Sequence, residues 1–189
     1  MEANTRDITR REALRRAALL VGAAVAPSLM ACADRARRGG AATPAFLTAA
    51  QFAVASAMAE RILPRTNTPG ALDVGVPSFI DLAYGQFMTA AEKKTLVEGL
   101  ASADTASQST HRTPFASATA AQQDALLRTL ANASAGQAGS FFPLIRQATI
   151  VGYFTSEEVG KKILHYDPVP GRFDPCVPTS EVGNVSWTT

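Results

Sequence analysis

Three tetrapeptides of one form punctuate this chain: Thr48-Ala49-Ala50-Gln51, Thr89-Ala90-Ala91-Glu92 and Thr119-Ala120-Ala121-Gln122. Each fits a capping box, in which a threonine hydroxyl accepts from the backbone N–H three residues on and a Gln or Glu accepts from the threonine's own N–H. A chain that signals three helix starts, each followed by apolar residues three and four apart, leaves little room for a sheet. Behind the first box, Phe52, Ala55, Ala59, Ile62 and Leu63 recur at helical spacing until Pro64 ends the segment. The second opens a helix with Leu96, Val97 and Leu100 on its core side, and the third one with Leu126, Leu127 and Leu130 inside.

The intervening stretches follow the same logic. Residues 65–76 read as a loop, because Pro69-Gly70 and Gly75 are turn residues and no period survives. Pro77 suits a first helical turn, with Phe79, Ile80, Ala83 and Phe87 as the apolar face of the helix it begins. Residues 103–113 are polar and are expected to form a surface loop carrying His111. After a break at 136–140, Phe141, Phe142, Leu144, Ile145, Ala148, Ile150 and Val151 make the most apolar helix, with Pro143 tolerated in its first turn. It is apolar over more than half its circumference and is expected at the centre. A short helix follows from Thr155 to Leu164, where Glu157 and Glu158 favour the N-terminal end. Residues 165–189 contain four prolines and few periodic apolar positions. The expected fold is therefore all-α: a compact helical domain over 46–164 with an extended, proline-rich C-terminal arm over 165–189.

The N-terminus constrains where such a domain works. Residues 1–16 hold five arginines against three acids, and residues 17–33 are uncharged, short, and broken by Gly22 and Pro27. A positive region, a brief apolar stretch and small residues at its end make an export signal rather than a membrane span, which needs about 20 residues. Thr9-Arg10-Arg11-Glu12-Ala13-Leu14 resembles the twin-arginine consensus, so Arg10 and Arg11 are expected to address a folded protein to the twin-arginine translocase. An ordinary secretory signal containing paired arginines is the alternative. Leu29-Met30-Ala31-Cys32 resembles a lipobox, which would put a lipid on Cys32. A cut after Ala33 fits equally, since Ala31-Cys32-Ala33 is small-x-small. The organisation read from these features is an export signal at 1–33, a flexible Arg/Gly/Ala linker at 34–45, then the domain and the arm.

Charge and chemistry narrow the function. The chain has 18 Lys+Arg and 16 Asp+Glu, and taking away residues 1–33 leaves 13 of each. The exported part is formally neutral, which argues against a nucleic-acid partner. Its length suits one domain with a real core. His111 and His165, the two histidines, have no metal-ligating companions at useful spacing. No Cys-x-x-Cys-His, Gly-x-Gly-x-x-Gly or nucleophile elbow occurs. No catalytic, cofactor-binding or metal-binding residue is therefore expected in this chain. Adjacent Glu157 and Glu158 point different ways on a helix and make no acid–base pair.

Three segments carry a resemblance. Arg61-Ile62-Leu63-Pro64-Arg65-Thr66-Asn67-Thr68-Pro69-Gly70-Ala71 leads into Gly75-Val76-Pro77-Ser78-Phe79-Ile80-Asp81. Gly152-Tyr153-Phe154-Thr155-Ser156-Glu157 follows, then Tyr166-Asp167-Pro168-Val169-Pro170-Gly171-Arg172-Phe173-Asp174-Pro175-Cys176-Val177-Pro178. Over residues 46–178, and in its twin-arginine signal, the chain resembles the small subunit of gluconate 2-dehydrogenase, also called subunit 3 or gamma. The resemblance implies a non-catalytic accessory role beside a large FAD-dependent dehydrogenase of the glucose-methanol-choline type. That partner acts on a sugar, sugar acid or similar alcohol, often with a multihaem cytochrome c as third subunit. The small subunit would help the flavoprotein fold and carry it through the twin-arginine pore, placing the complex in the periplasm, with membrane attachment through the complex or a lipid on Cys32.

The arm offers the candidate contacts. Pro168 and Pro170, with Pro175 and Pro178, pre-order the chain and lower the entropy lost on docking. Tyr166, Phe173 and Trp187 are candidate aromatic anchors, either on a partner or on the domain itself. Cys176 is the one cysteine left after a cut at Ala33 and is a candidate for a disulfide to the large subunit, with a buried structural thiol as the alternative. The competing function is a free-standing periplasmic helical lipoprotein with an unrelated partner.

Overall fold

The computed structural model describes residues 43–134, 139–167, 171 and 176–188, all within the compact unit Ala42–Thr189. Six helices occur among the described residues: α1 Ala49–Ile62, α2 Val76–Gln86, α3 Ala90–His111, α4 Ala120–Ala133, α5 Phe141–Phe154 and α6 Glu157–Lys162. Helix dominates and strand is nearly absent, so the all-α expectation holds. All three capping boxes form as the sequence predicts, with Thr48, Thr89 and Thr119 accepting from Gln51, Glu92 and Gln122 and receiving the reciprocal bond. Ser156 caps α6 by accepting from the Val159 N–H. Gly75, in the left-handed region at φ 77°, turns the chain into α2 just ahead of Pro77.

The helices enclose one core. α1 packs on α2, α3, α4 and α5, and α5 packs on α1, α2, α3, α4 and α6, with α2 against α5 the most extensive pairing. Ala55, Met58 and Ala59 of α1, Ile80 of α2, Leu96 and Leu100 of α3, and Ile145 of α5 are sealed from solvent. The central position expected for α5 is partly met: it touches five neighbours yet leaves Val151 and Phe154 exposed. Phe87, expected on the apolar face of α2, instead caps that helix and is 74% exposed. α2 buries Val76, Pro77, Ile80 and Asp81.

The expected loop at 103–113 is helix. α3 continues for 22 residues to His111, because Ala103 and Ser107, one turn apart, are small enough to let a following turn pack against them. That turn, Phe115–Ser117, puts Phe115 completely inside. Asp104 accepts the Phe115 N–H at 2.8 Å, Gln123 Nε2 donates to the Phe115 carbonyl at 2.8 Å, and Ser107 Oγ donates to the Thr113 carbonyl at 2.9 Å. His111 thus ends a helix rather than sitting in a loop.

Beyond α6, His165–Tyr166 (β1) pairs in parallel with Trp187–Thr188 (β2), and Thr179–Val182 forms a 3-10 turn between them. No helix among the described residues is long and apolar enough to cross a membrane.

Candidate docking surface

The first two of the segments that carry the family resemblance, 61–81 and 152–157, meet in space. Residues 63–75 leave α1, turn over its end and enter α2, and side chains hold this loop from three sides. Glu60 accepts the Arg65 and Leu72 N–H groups at 3.3 and 3.2 Å. Asp73 accepts the Gly70 N–H at 2.8 Å and Arg65 Nε at 2.8 Å, with a second bond from Arg65 Nη2. From α5, Tyr153 Oη donates to the Pro69 carbonyl at 2.8 Å. Gly70 is required by proximity, since a Cβ there would lie 2.6 Å from the Arg65 nitrogen. Close by, Gly152 of α5 accommodates Phe79 of α2, whose Cδ1 is 2.7 Å from where a Cβ would stand. The tip of the loop (Arg65, Thr66, Asn67) stays exposed on this braced backbone.

An open groove runs between the loop and the start of α6, lined by Asp73, Val74, Gly75, Ser156, Glu157, Glu158, Lys161 and Lys162. Its charges are paired: Arg65 with Asp73, Glu157 with Lys161 at 2.8 Å, and Glu158 with Lys162 at 3.1 Å. The Lys161 ammonium holds the Glu157 carboxyl below the usual range. The Arg65 guanidinium, then the Gly70 N–H, do the same for Asp73. Carboxylates stabilised as anions are poor proton donors near neutral pH. Among the described residues no group of three or more His, Cys, Asp and Glu is arranged to hold a metal.

A second surface lies beside it. α2 carries one acidic or basic residue, Asp81, which is buried, and α5 carries one, Arg146. Leu82 is 41% exposed and lies one turn from both Phe79 and Gly85. The Phe46 ring rests directly on Gly85. Across the α2–α5 contact stand exposed Val151 and Phe154, again one turn apart. Exposed apolar side chains thus occur on both of these packed helices, Leu82 on α2 with Phe46 beside that helix, and Val151 and Phe154 on α5. By contrast α3, α4 and α6 present Lys93, Lys94, Glu98, Asp124, Arg128 and the α6 ion pairs.

Of the residues singled out from sequence, Arg10, Arg11, Cys32, Pro168, Pro170 and Phe173 lie outside the described residues. Tyr166 is 42% exposed, with Lys161 Nζ 5.9 Å from its ring centroid at the edge of the groove. Cys176 is exposed, which disfavours the buried-thiol alternative. Trp187 lies on β2. The bracing residue Tyr153 and the buried Asp81 carried no sequence signal beyond membership of the quoted segments, and Glu60 and Asp73 lie just outside those segments. A lone Asp inside the apolar run of α2 was the one visible oddity.

No curated protein and no solved structure matches the chain. The family described as Gluconate 2-dehydrogenase subunit 3 matches residues 49–171, a span that begins at α1 and takes in the braced loop, the exposed Leu82, Val151 and Phe154, and the groove. The chain belongs to the gluconate 2-dehydrogenase subunit 3 family.

Proposed function

We propose that this chain is the non-catalytic small subunit of an exported, FAD-dependent dehydrogenase complex of the glucose-methanol-choline type, which oxidises a sugar, sugar acid or similar alcohol. Its part is to support folding of the flavoprotein subunit and to carry it through the twin-arginine translocase on the signal at Arg10-Arg11. FAD belongs to the large subunit, and haem c to a multihaem cytochrome where a third subunit is present. The complex works in the periplasm, with Cys32 as a site of lipid attachment.

The observation that carries this reading is the exposure of Phe46, Leu82, Val151 and Phe154 on or beside two packed helices with few charges, in a chain whose family is that of a dehydrogenase subunit. Interface centres are depleted of charge and enriched in aromatic residues, whereas an isolated domain gains nothing from such exposure. The braced loop and the groove with Tyr166 extend the contact in polar form. Cys176, which is exposed, forms a disulfide with a cysteine of the large subunit, the two thiols giving up two electrons and two protons to the oxidising machinery of the periplasm.

Tagged protein recovered from native membranes should bring down a large flavoprotein, giving a yellow complex that reduces dyes. Leu82→Asp with Val151→Asp should lower the flavin recovered about tenfold or more while the helical circular dichroism is unchanged. A colourless chain recovered alone under mild conditions overturns the proposal and favours a free-standing lipoprotein. Non-reducing gels of the intact complex showing only the monomer overturn the Cys176 bond.

A further inference from the structure

Asp81 sits in the middle of α2 and is 5% exposed. Aspartate is among the weaker helix formers, and burying its carboxylate is unfavourable unless the charge is satisfied. Here the satisfaction comes from the segment that leads into α1. The Ala45 N–H donates to Oδ2 at 2.7 Å, the Leu47 N–H to Oδ1 at 2.7 Å, and the Phe46 N–H is shared between the two oxygens at 3.1 and 3.4 Å. Three successive backbone donors thus converge on one carboxylate, the charge-assisted arrangement that makes strong hydrogen bonds. Leu47 is buried beneath them, and the Phe46 ring seats on Gly85, where no Cβ fits. Thr48 follows at once as the cap of α1.

The donors are 34 to 36 residues from their acceptor in sequence. The bonds can therefore exist only when α1 and α2 are packed together. A protease binds its substrate as an extended strand and needs the backbone N–H groups that Asp81 occupies. In the packed domain residues 45–47 are withheld from cleavage; in an unpacked one they are open to it.

We infer that Asp81 is a folding-coupled latch on the segment that enters α1: it closes on Ala45–Leu47 only in the packed domain and so withholds these residues from proteolysis there.

The test uses the full-length chain as wild type, Asp81→Ala and Asp81→Asn. Hydrogen exchange at the Ala45, Phe46 and Leu47 amides should accelerate roughly tenfold or more in Asp81→Ala, with protection of α3 and α5 kept. Thermolysin should then cut before Phe46 or Leu47. In cells, an N-terminal tag should be lost from the variant several-fold faster. Asp81→Asn keeps the shape and two acceptor lone pairs, so an intermediate exchange rate is expected, and it serves as the informative variant if Asp81→Ala unfolds. Equal exchange at 45–47 in the wild type and in the folded variant overturns the latch. Fast exchange with the tag fully retained overturns its role in shielding residues 45–47 from proteolysis. Export that persists in Arg10→Lys with Arg11→Lys overturns the twin-arginine reading instead, and leaves the exchange result standing.

Discussion

Gly99 in α3 is a helix-interior glycine that should resist replacement by the best helix former. Alanine is favoured over glycine in a helix by about 1 kcal/mol, so Gly99→Ala would stabilise an isolated helix. In the folded chain the Phe141 ring of α5 covers this position: its Cγ and Cδ2 lie far inside the distance any Cβ tolerates, and its own Cβ lies at 2.7 Å. Turning the ring relieves the first two contacts but not the third, which is tied to the α5 backbone. The first turn of α5 must therefore shift, and overpacking of that kind costs typically 1–3 kcal/mol. The two effects leave Gly99→Ala less stable by about 1 kcal/mol, a fall in midpoint temperature of about 3 °C for a domain of this size. With Phe141→Gly as background the Cβ is removed together with the ring, and the same substitution should stabilise by about 1 kcal/mol. Urea unfolding followed by circular dichroism on the four proteins of this cycle measures the change of sign directly. Stabilisation by the same amount in both backgrounds would show that Phe141 does not pack on Gly99 and would refute the α3–α5 contact.

Other perturbations probe the braces. Tyr153→Phe removes the bond to the Pro69 carbonyl and should lower stability by about 1 kcal/mol, with faster amide exchange confined to residues 65–72. Thr89→Ala breaks one capping box and should lower stability by about 1 kcal/mol in the same urea assay. The hydrogen bonds from Arg61 hold Asp124 below its ordinary range, joining α1 to α4 through Nε at 2.7 Å and Nη2 at 2.9 Å. A depressed carboxyl contributes stability above the unfolded value, about 3.9, and loses it as pH falls through the lower folded value. The wild type should therefore exceed Asp124→Asn by up to about 1 kcal/mol at neutral pH, and the gap in urea midpoints should close as the pH is taken well below 4.

The helical character of this chain was legible residue by residue. The three Thr-Ala-Ala-Gln/Glu boxes, Pro64 and Pro77 mark helix boundaries through local hydrogen bonds and fixed backbone angles, which neighbours in sequence determine without help. The second half of α3 was not legible in this way. Its inner face is Ala103 and Ser107 rather than large apolar residues, and that face acquires meaning only from Phe115 folding back upon it. Phe87 failed for the converse reason: it fits the apolar period, but the helix ends one residue earlier and leaves it in solvent.

The site divides along the same line. Local sequence identified the loop at 65–76 and a resemblance spread over three segments, but not why those segments belong together. Tyr153 reaches Pro69 across 84 residues, Arg61 reaches Asp124 across 63, and Asp81 reaches Ala45 across 36. Side chains so far apart carry no mutual signal in one sequence, because the entropy of closing such loops is offset only by the collective burial of the core. Helix identity here is a property of short stretches; the braced loop and the Asp81 contact exist only because packing α1, α2 and α5 brings their partners within hydrogen-bond or van der Waals range.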